Sequence, residues 1–377
     1  MRIVLAEVQS TRIPTSRPHQ MAIGTTNFQE DVVLKLVTDE GLVGWGEAPH
    51  MVGHSQRGET PDTVRAVLRR KLLPVVLGTD PLNQEAIGLS LDRAVPWNTR
   101  AKGSIIMAAY DLAGKALGTP VHNLLGGMVR DRIPLSWSLP IQDPAAIVEE
   151  AQRMVDRGWL ILKVKVGRDD PMADVAAVRR VRDAVGDGIR IRADANQAYD
   201  VKTAIKVARR MEEFGLEFLE QPVHQSDLEG MGEVRRQVGV PIMADESAQT
   251  AEDLLTIAKT RAADYVSIYV IGPGGLHNSK RMAVIAQCAR MRGYVGGALE
   301  SVIGAAAGLH FAAASPAVDL GCEMSGQFLL TDDFGTQPLP FEGGALLVPT
   351  APGLGVDIDE EKLARHRDGD IERVALD

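Results

Sequence analysis

Leu162-Lys-Val-Lys165, Ile191-Arg-Ala-Asp194, Phe218-Leu-Glu220, Ile242-Met-Ala-Asp245 and Val266-Ser-Ile-Tyr269 are short apolar runs that each close on a polar residue, and their last residues fall 24 to 29 positions apart. Helical patterns fill the intervals, at Pro171–Val185, Val201–Glu213, Met231–Val238 and Ala251–Lys259. A strand followed by a helix, repeated at this spacing, is the βα unit of a parallel barrel. The period is structural, since the units share no sequence. Residues at the C-terminal ends of barrel strands face one mouth. Lys163, Lys165, Asp194, Glu220, Asp245 and Tyr269 are therefore expected to converge.

Asp194, Glu220 and Asp245 close three successive runs. Three carboxylates at one mouth repel one another unless a cation sits among them. A hard divalent ion with oxygen ligands answers that need, and magnesium suits a site that leaves positions for water or substrate oxygens. The competing reading, in which each acid caps a helix or pairs with an arginine, suits one strand better than three in succession. Lys163 and Lys165 are two apart on a strand and so share a face. Their apolar neighbours Leu160, Ile161, Leu162, Val164 and Val166 argue for a buried strand. Ammonium groups beside a divalent cation are expected to have lowered pKa values, as a general base requires. Metal and lysine charge on a substrate carboxylate would stabilise the enediolate left when a neighbouring carbon loses its proton.

Upstream the pattern differs. Arg2 to Val8 and Asp31 to Thr38 alternate as strands, Asp39-Glu-Gly41 marks a turn, and Leu42 to Gly46 returns. Helices are expected from Pro61 to about Leu73 and from Lys102 to Ala116, the second ended by Gly118-Thr-Pro120. Strands followed by helices suggest a small α+β domain over residues 1–130. The net charge of -9 argues against nucleic acid or an anionic membrane as the main partner. No apolar run reaches membrane-spanning length and no secretory signal opens the chain, so a cytoplasmic protein is expected. Cys288 and Cys322 lie among apolar residues and read as buried, inert thiols.

Taken together, Met107-Ala-Ala-Tyr-Asp-Leu-Ala-Gly-Lys115, Leu162-Lys-Val-Lys165, Asp194-Ala-Asn-Gln-Ala-Tyr199, Glu220-Gln-Pro222, Asp245-Glu-Ser247, Gly296-Gly-Ala-Leu-Glu-Ser301, Gly321-Cys-Glu-Met-Ser-Gly326 and Pro352-Gly-Leu-Gly355 resemble the muconate lactonizing enzyme subgroup of the enolase superfamily over nearly the whole chain. The resemblance implies a modified TIM (β/α)7β barrel over 131–350 with an N-terminal α+β capping domain, and a segment 351–377 that returns to the cap. It implies Mg²⁺ held by Asp194, Glu220 and Asp245, with Lys165 as acid/base and Lys163 supporting the substrate carboxylate. A lysine base working beside magnesium is a general feature of enolase-type sites. The resemblance also places Glu323 on the eighth strand and makes a small-molecule carboxylate the partner; Asn196, two residues past Asp194, is placed to support the metal site or to cap a helix. The resemblance further implies a homo-oligomer.

The chain departs from the subgroup at Tyr269, where the pattern has a lysine opposite Lys165. A phenol ordinarily ionises only near pH ~10 and is a poor mirror partner for a lysine. Racemization by two bases is therefore disfavoured, and chemistry with one mobile proton on one face survives. The leading expectation is loss of water from a hydroxy amino or imino acid of the cis-3-hydroxy-L-proline kind. Lys165 would remove the α-proton and then protonate the leaving hydroxyl, while Tyr269 hydrogen-bonds or holds the substrate. Racemization or epimerization of an amino acid derivative, and a muconate-type cycloisomerization, are the alternatives; a non-catalytic binding barrel stands outside these classes. Specificity is expected from two cap loops, one with Thr25 and Asn27 and one with His50 and His54. Tyr199, Glu300 and Glu323 are further candidates for the pocket wall.

Overall fold

The computed structural model describes residues 1–51 and 58–376. Strands β1 (Ile3–Met21), β2 (Gly24–Thr38) and β3 (Val43–His50) form an antiparallel sheet. The β1 and β2 strands run far beyond the expected Arg2–Val8 and Asp31–Thr38. Alternation continues from Thr11 through Ile13, Arg17, His19 and Met21 inside, with Arg12, Pro14, Ser16, Pro18 and Gln20 outside. Polar residues on the inner face hide that pattern from a hydropathy reading. The hairpin closes at Ala22-Ile23, where Met21 pairs with Gly24. Gly24 has φ +144, a conformation that L side chains rarely adopt.

Behind this sheet lies the helix Thr99–Ala116, which is buried from Arg100 to Gly114. It approaches β3 so closely that a Cβ on Gly46 would collide with the Ser104 carbonyl oxygen. Residues Pro61–Val67 are α-helical as expected, a π-type turn follows at Leu68–Leu72, and the helix runs on past the expected end near Leu73 as Leu73–Val76.

Strands β4 (Trp137–Leu139), β5 (Ile161–Lys165), β6 (Arg190–Asp194), β7 (Leu216–Glu220), β8 (Ile242–Ala244), β9 (Tyr265–Ser267) and β10 (Arg292–Tyr294) lie side by side and parallel in chain order. The eighth stave is the short segment around Cys322, bridged in parallel to Leu135 on one side and Val295 on the other. It closes the barrel and sets Glu323 at the mouth. The helices between strands match expectation closely: Pro171–Val185, Val201–Met211, Leu228–Gln237 and Ala251–Thr260. The third begins at Leu228 and not Met231, because the Asp227 carboxylate accepts from Gly230 N and caps it.

The barrel floor is a packed layer of Phe218, Met243, Tyr294 and Leu320. The buried Arg192 guanidinium lies 4.8 Å and 5.0 Å from the Phe218 and Tyr294 rings, and donates to Glu217, Ser136 Oγ and the Leu320 carbonyl.

Cap and barrel are stitched by buried carboxylates and by the chain's far end. Strand β11 (Arg367–Ala375) pairs with β1 at the outer edge of the cap sheet. Asp111, from the long cap helix, accepts from Trp45 N, Lys115 Nζ and Leu354 N. Glu47, from β3, accepts from Ser301 N, Ser301 Oγ and Gly304 N, and so caps the barrel helix Val302–Ala313. Cys322 is buried as expected, whereas Cys288 is exposed, because the helix Leu276–Cys288 ends with that residue on its outer face. Among the described residues no helix is long and apolar enough to cross a membrane.

Candidate active site

Strand alternation delivers the expected constellation. On β5, Lys163 and Lys165 both point into the barrel and are buried. Asp194 and Glu220 end β6 and β7, while Asp245 and Tyr269 lie just past β8 and β9. Lys163 Nζ lies 3.2 Å from Glu220 Oε2, 3.4 Å from Asp194 Oδ2 and 2.5 Å from Glu323 Oε2. Lys165 Nζ donates to Asp194 Oδ2 at 2.5 Å and to Asn196 Oδ1 at 3.2 Å. Asn196 in turn donates to Glu246 Oε1. Tyr269 OH donates to Asp245 Oδ2 at 3.2 Å.

The electrostatics divide the acids. Burial works against the Asp194 charge, but Lys165 and Lys163 outweigh it and hold the carboxyl well below the usual range. Burial pushes Glu220 and Asp245 well above it, with neighbouring carboxylates adding to the shift. Burial also pushes Glu246 up to about 7. Burial alone would lower the lysines, but Glu220, Glu323 and Asp194 keep Lys163 well above its ordinary value, and Asp194 keeps Lys165 above it. Burial and the Asp245 carboxylate push the Tyr269 phenol up, so it stays neutral.

The donor set suits a hard cation. Asp194, Glu220 and Asp245 offer only oxygens, and Asp245 Oδ1 and Glu246 Oε2 are buried without a hydrogen-bond partner. As positioned, among the described residues no three His, Cys, Asp or Glu side chains stand close enough to ligate one ion. The Lys163 and Lys165 ammonium groups lie among the carboxylates and neutralise them.

A small cavity opens above these groups, lined in part by Lys165, Tyr269, Glu323, His19, Met21 and Ser138. Several expected wall residues stand elsewhere. Thr25 and Asn27 are exposed on the hairpin, at the wrong parity for the cavity. The inward positions there are His19 and Met21, and Ile141 N donates to Gln20 O to dock the hairpin on the barrel. His50 is not in a loop: it ends β3, buried, with Nδ1 against Ala48 O, and burial lowers its pKa to about 3. His54 lies outside the described residues. Tyr199 packs on the rim and donates to Asp174 Oδ2 at 2.7 Å. Glu300 turns back to accept from Ala298 N, and burial pushes it up to about 8. Gln221 carried no expectation from the sequence. It is buried at φ +34, and its Oε1 accepts from Asp245 N and Ser247 N, fixing the turn that carries Asp245. Its place inside the Glu220-Gln-Pro222 motif was the available signal.

The same arrangement of cap and barrel recurs in known proteins. Residues 5–126 match the mandelate racemase / muconate lactonizing enzyme N-terminal domain, and residues 146–362 match the enolase C-terminal domain-like family. A chloromuconate cycloisomerase of Cupriavidus necator is 35% identical over 97% of this chain and 99% of its own. The crystal structure of N-succinyl Arg/Lys racemase from Bacillus cereus superposes with a TM-score of 0.95 at 30% identity, covering 99% of this chain and 100% of that one. A dipeptide epimerase from Enterococcus faecalis, complexed with Mg and dipeptide L-Leu-L-Tyr, superposes with a TM-score of 0.90 at 32% identity, covering 94% of this chain and 99% of that one. The chain belongs to the enolase superfamily, in its muconate lactonizing enzyme subgroup, and has the modified TIM barrel and capping domain of that subgroup.

Proposed function

We propose that this chain is a magnesium-dependent isomerase that moves one proton on one face of an unsaturated dicarboxylate, closing it to a lactone or opening the lactone again. The observation that carries this reading is the asymmetry of the mouth. Among the described residues Lys165 is the only lysine lining the cavity, and facing it is a neutral phenol tied to Asp245. A two-base racemase needs a proton carrier on both faces. A cycloisomerase needs one.

Asp194, Glu220 and Asp245 would hold the magnesium; their all-oxygen donors favour it, and so does the magnesium in the Enterococcus relative. When bound, the ion supplies positive charge to the substrate carboxylate and so stabilises the enediolate. In lactone closure the free carboxylate oxygen of the substrate adds to the distal alkene carbon. The alkene electron pair moves to the α-carbon, and the Lys165 ammonium protonates that carbon. In opening, Lys165 takes the α-proton, the carbon–carbon double bond forms, and the ring carbon–oxygen bond breaks with the carboxylate as leaving group. Closure takes up one proton, which solvent returns to Lys165, and opening releases it again; no other atom is gained or lost. Lys163 neutralises the carboxylate end, and Asn196 orients Lys165 through its 3.2 Å contact.

Dehydration of a β-hydroxy acid uses the same single lysine and is the second reading. The likeness to cycloisomerases and epimerases, which are isomerases, ranks it behind lactone chemistry. Turnover of a muconate panel and of hydroxyproline, followed by proton NMR with Mg²⁺, separates the two. Lactone formation without loss of water supports the proposal, and release of water with growth of a cyclic imine replaces it by the second reading. Lys165→Ala is expected to abolish turnover with the fold intact; undiminished turnover would remove Lys165 from the mechanism.

A further inference from the structure

Tyr269 stands where the subgroup's pattern has a lysine, and the proton chemistry above gives its hydroxyl no task. The ring is nevertheless seated with care. Ser279 Oγ, on the helix Leu276–Cys288, lies 3.2 Å from the carbonyl oxygens of both Tyr269 and Val270 and steadies the backbone that carries the ring. On its other side the ring meets Gly296. A Cβ at that position would come within 2.5 Å of Tyr269 Cε2, 2.7 Å of Cζ and 2.5 Å of Ser267 Oγ. The ring can stand where it does only because residue 296 has no side chain.

So placed, the hydroxyl gives its one proton to Asp245 Oδ2, at 3.2 Å. The main chain of Asp245 is fixed as well. Gln221 Oε1 accepts from Asp245 N at 3.0 Å, and Gln249 Nε2 donates to Asp245 O at 3.2 Å. With these groups engaged, Oδ1 is left buried and without a partner. A carboxylate held at one oxygen cannot turn about its Cβ–Cγ bond without losing that contact, so the other oxygen keeps a fixed direction. Outer hydrogen bonds of this kind orient metal ligands. Charge counts as well as direction. An ammonium at position 269 would also donate to Oδ2, but it would set a positive charge beside a divalent cation. A phenol, ordinarily neutral below pH ~10, supplies the hydrogen bond without that repulsion.

We propose that Tyr269 is a metal-positioning residue: seated by Gly296, it anchors Asp245 through Oδ2, leaves Oδ1 for the magnesium, and adds no charge beside it. The inference rests on the magnesium of the reading above and not on the lactone chemistry.

The test is a calorimetric titration of the full chain, stripped by chelator, with magnesium chloride, set beside urea denaturation of the metal-free chain. Tyr269→Phe keeps the ring and its packing. It is expected to weaken magnesium binding about tenfold while metal-free unfolding stays as in wild type, a split that a merely structural role would not give. Tyr269→Lys keeps a donor and adds the charge, and is expected to weaken magnesium more than Tyr269→Phe does. Gly296→Ala displaces the ring and should weaken magnesium in the otherwise wild-type chain, but not further in Tyr269→Ala, where no ring remains to displace. Where Gly296→Ala fails to fold, the two single variants at position 269 decide. Equal affinity in wild type and Tyr269→Phe overturns the anchor. Wild-type affinity in Tyr269→Lys overturns the charge argument, and an equal loss from Gly296→Ala in both backgrounds overturns the seat. If wild type binds no magnesium, the ion of the proposed function falls together with this inference; if wild type binds it and Tyr269→Phe binds it as tightly, only this inference falls.

Discussion

Glu47→Gln probes how the cap is held over the barrel, and its effect should change with pH. The Glu47 carboxylate is fully buried and accepts from Ser301 N at 2.9 Å, Ser301 Oγ at 2.7 Å and Gly304 N at 2.7 Å. Those bonds favour the charged form, but burial outweighs them and pushes the group from 4.5 up to about 7. The folded state therefore holds a proton more tightly than the unfolded state. Stability from this group is fully present below pH 4.5 and falls as pH rises through 7. A shift of that size corresponds to about 3 kcal/mol across the window. Asp31, pushed up by its own burial and then by Glu47, responds in the same direction. Glutamine keeps one acceptor and cannot ionise. The variant is expected to lose about 1–2 kcal/mol at pH ~5, from a weakened set of hydrogen bonds. Between pH ~5 and pH ~8 it should then gain about 3 kcal/mol relative to wild type. Urea denaturation followed by tryptophan fluorescence measures both, with Trp45 two residues away on the same strand. Parallel stability profiles for wild type and variant would refute the argument, because they would mean that Glu47 titrates alike in the folded and unfolded chain.

Other substitutions address the remaining joints. Asp111→Ala strips Trp45 N, Lys115 Nζ and Leu354 N of a shared acceptor and should destabilise the chain by about 3–5 kcal/mol in the same assay. Gly46→Ala drives a Cβ into the Ser104 carbonyl and should lower the melting temperature sharply, whereas Gly24→Ala at the open hairpin turn meets no neighbour and should cost about 1 kcal/mol. Tyr269→Phe removes only the donation to Asp245 Oδ2 and should retain turnover within about tenfold; a complete loss would make the phenol an acid/base. Chelation of divalent ions should abolish turnover, and added magnesium should restore it; turnover unaffected by chelator would remove the ion from the mechanism.

The barrel was legible because its signals are local. A strand of about five residues shows its inward side by parity, so Lys163, Lys165, Asp194 and Glu220 could be placed at one mouth without a structure. What failed were decisions made by distant partners. The long hairpin presents His19 and Met21 and not Thr25 and Asn27, and that choice is fixed by the docking of Arg17 on Glu150 and Ser138, far along the chain. Tyr199 points to the pocket in the linear pattern but is captured by Asp174. Glu300 looked like a wall residue, yet it satisfies its own loop.

One-faced proton transfer is open to direct measurement. A lactone made by the protein from a muconate in D₂O, with Mg²⁺ present, can be assigned by NMR for the position and configuration of its deuterium. A single deuterium at the α-carbon, in one configuration that does not scramble on prolonged incubation, is expected if Lys165 alone delivers it. Deuterium in both configurations would show a proton carrier on the Tyr269 face and would contradict the reading.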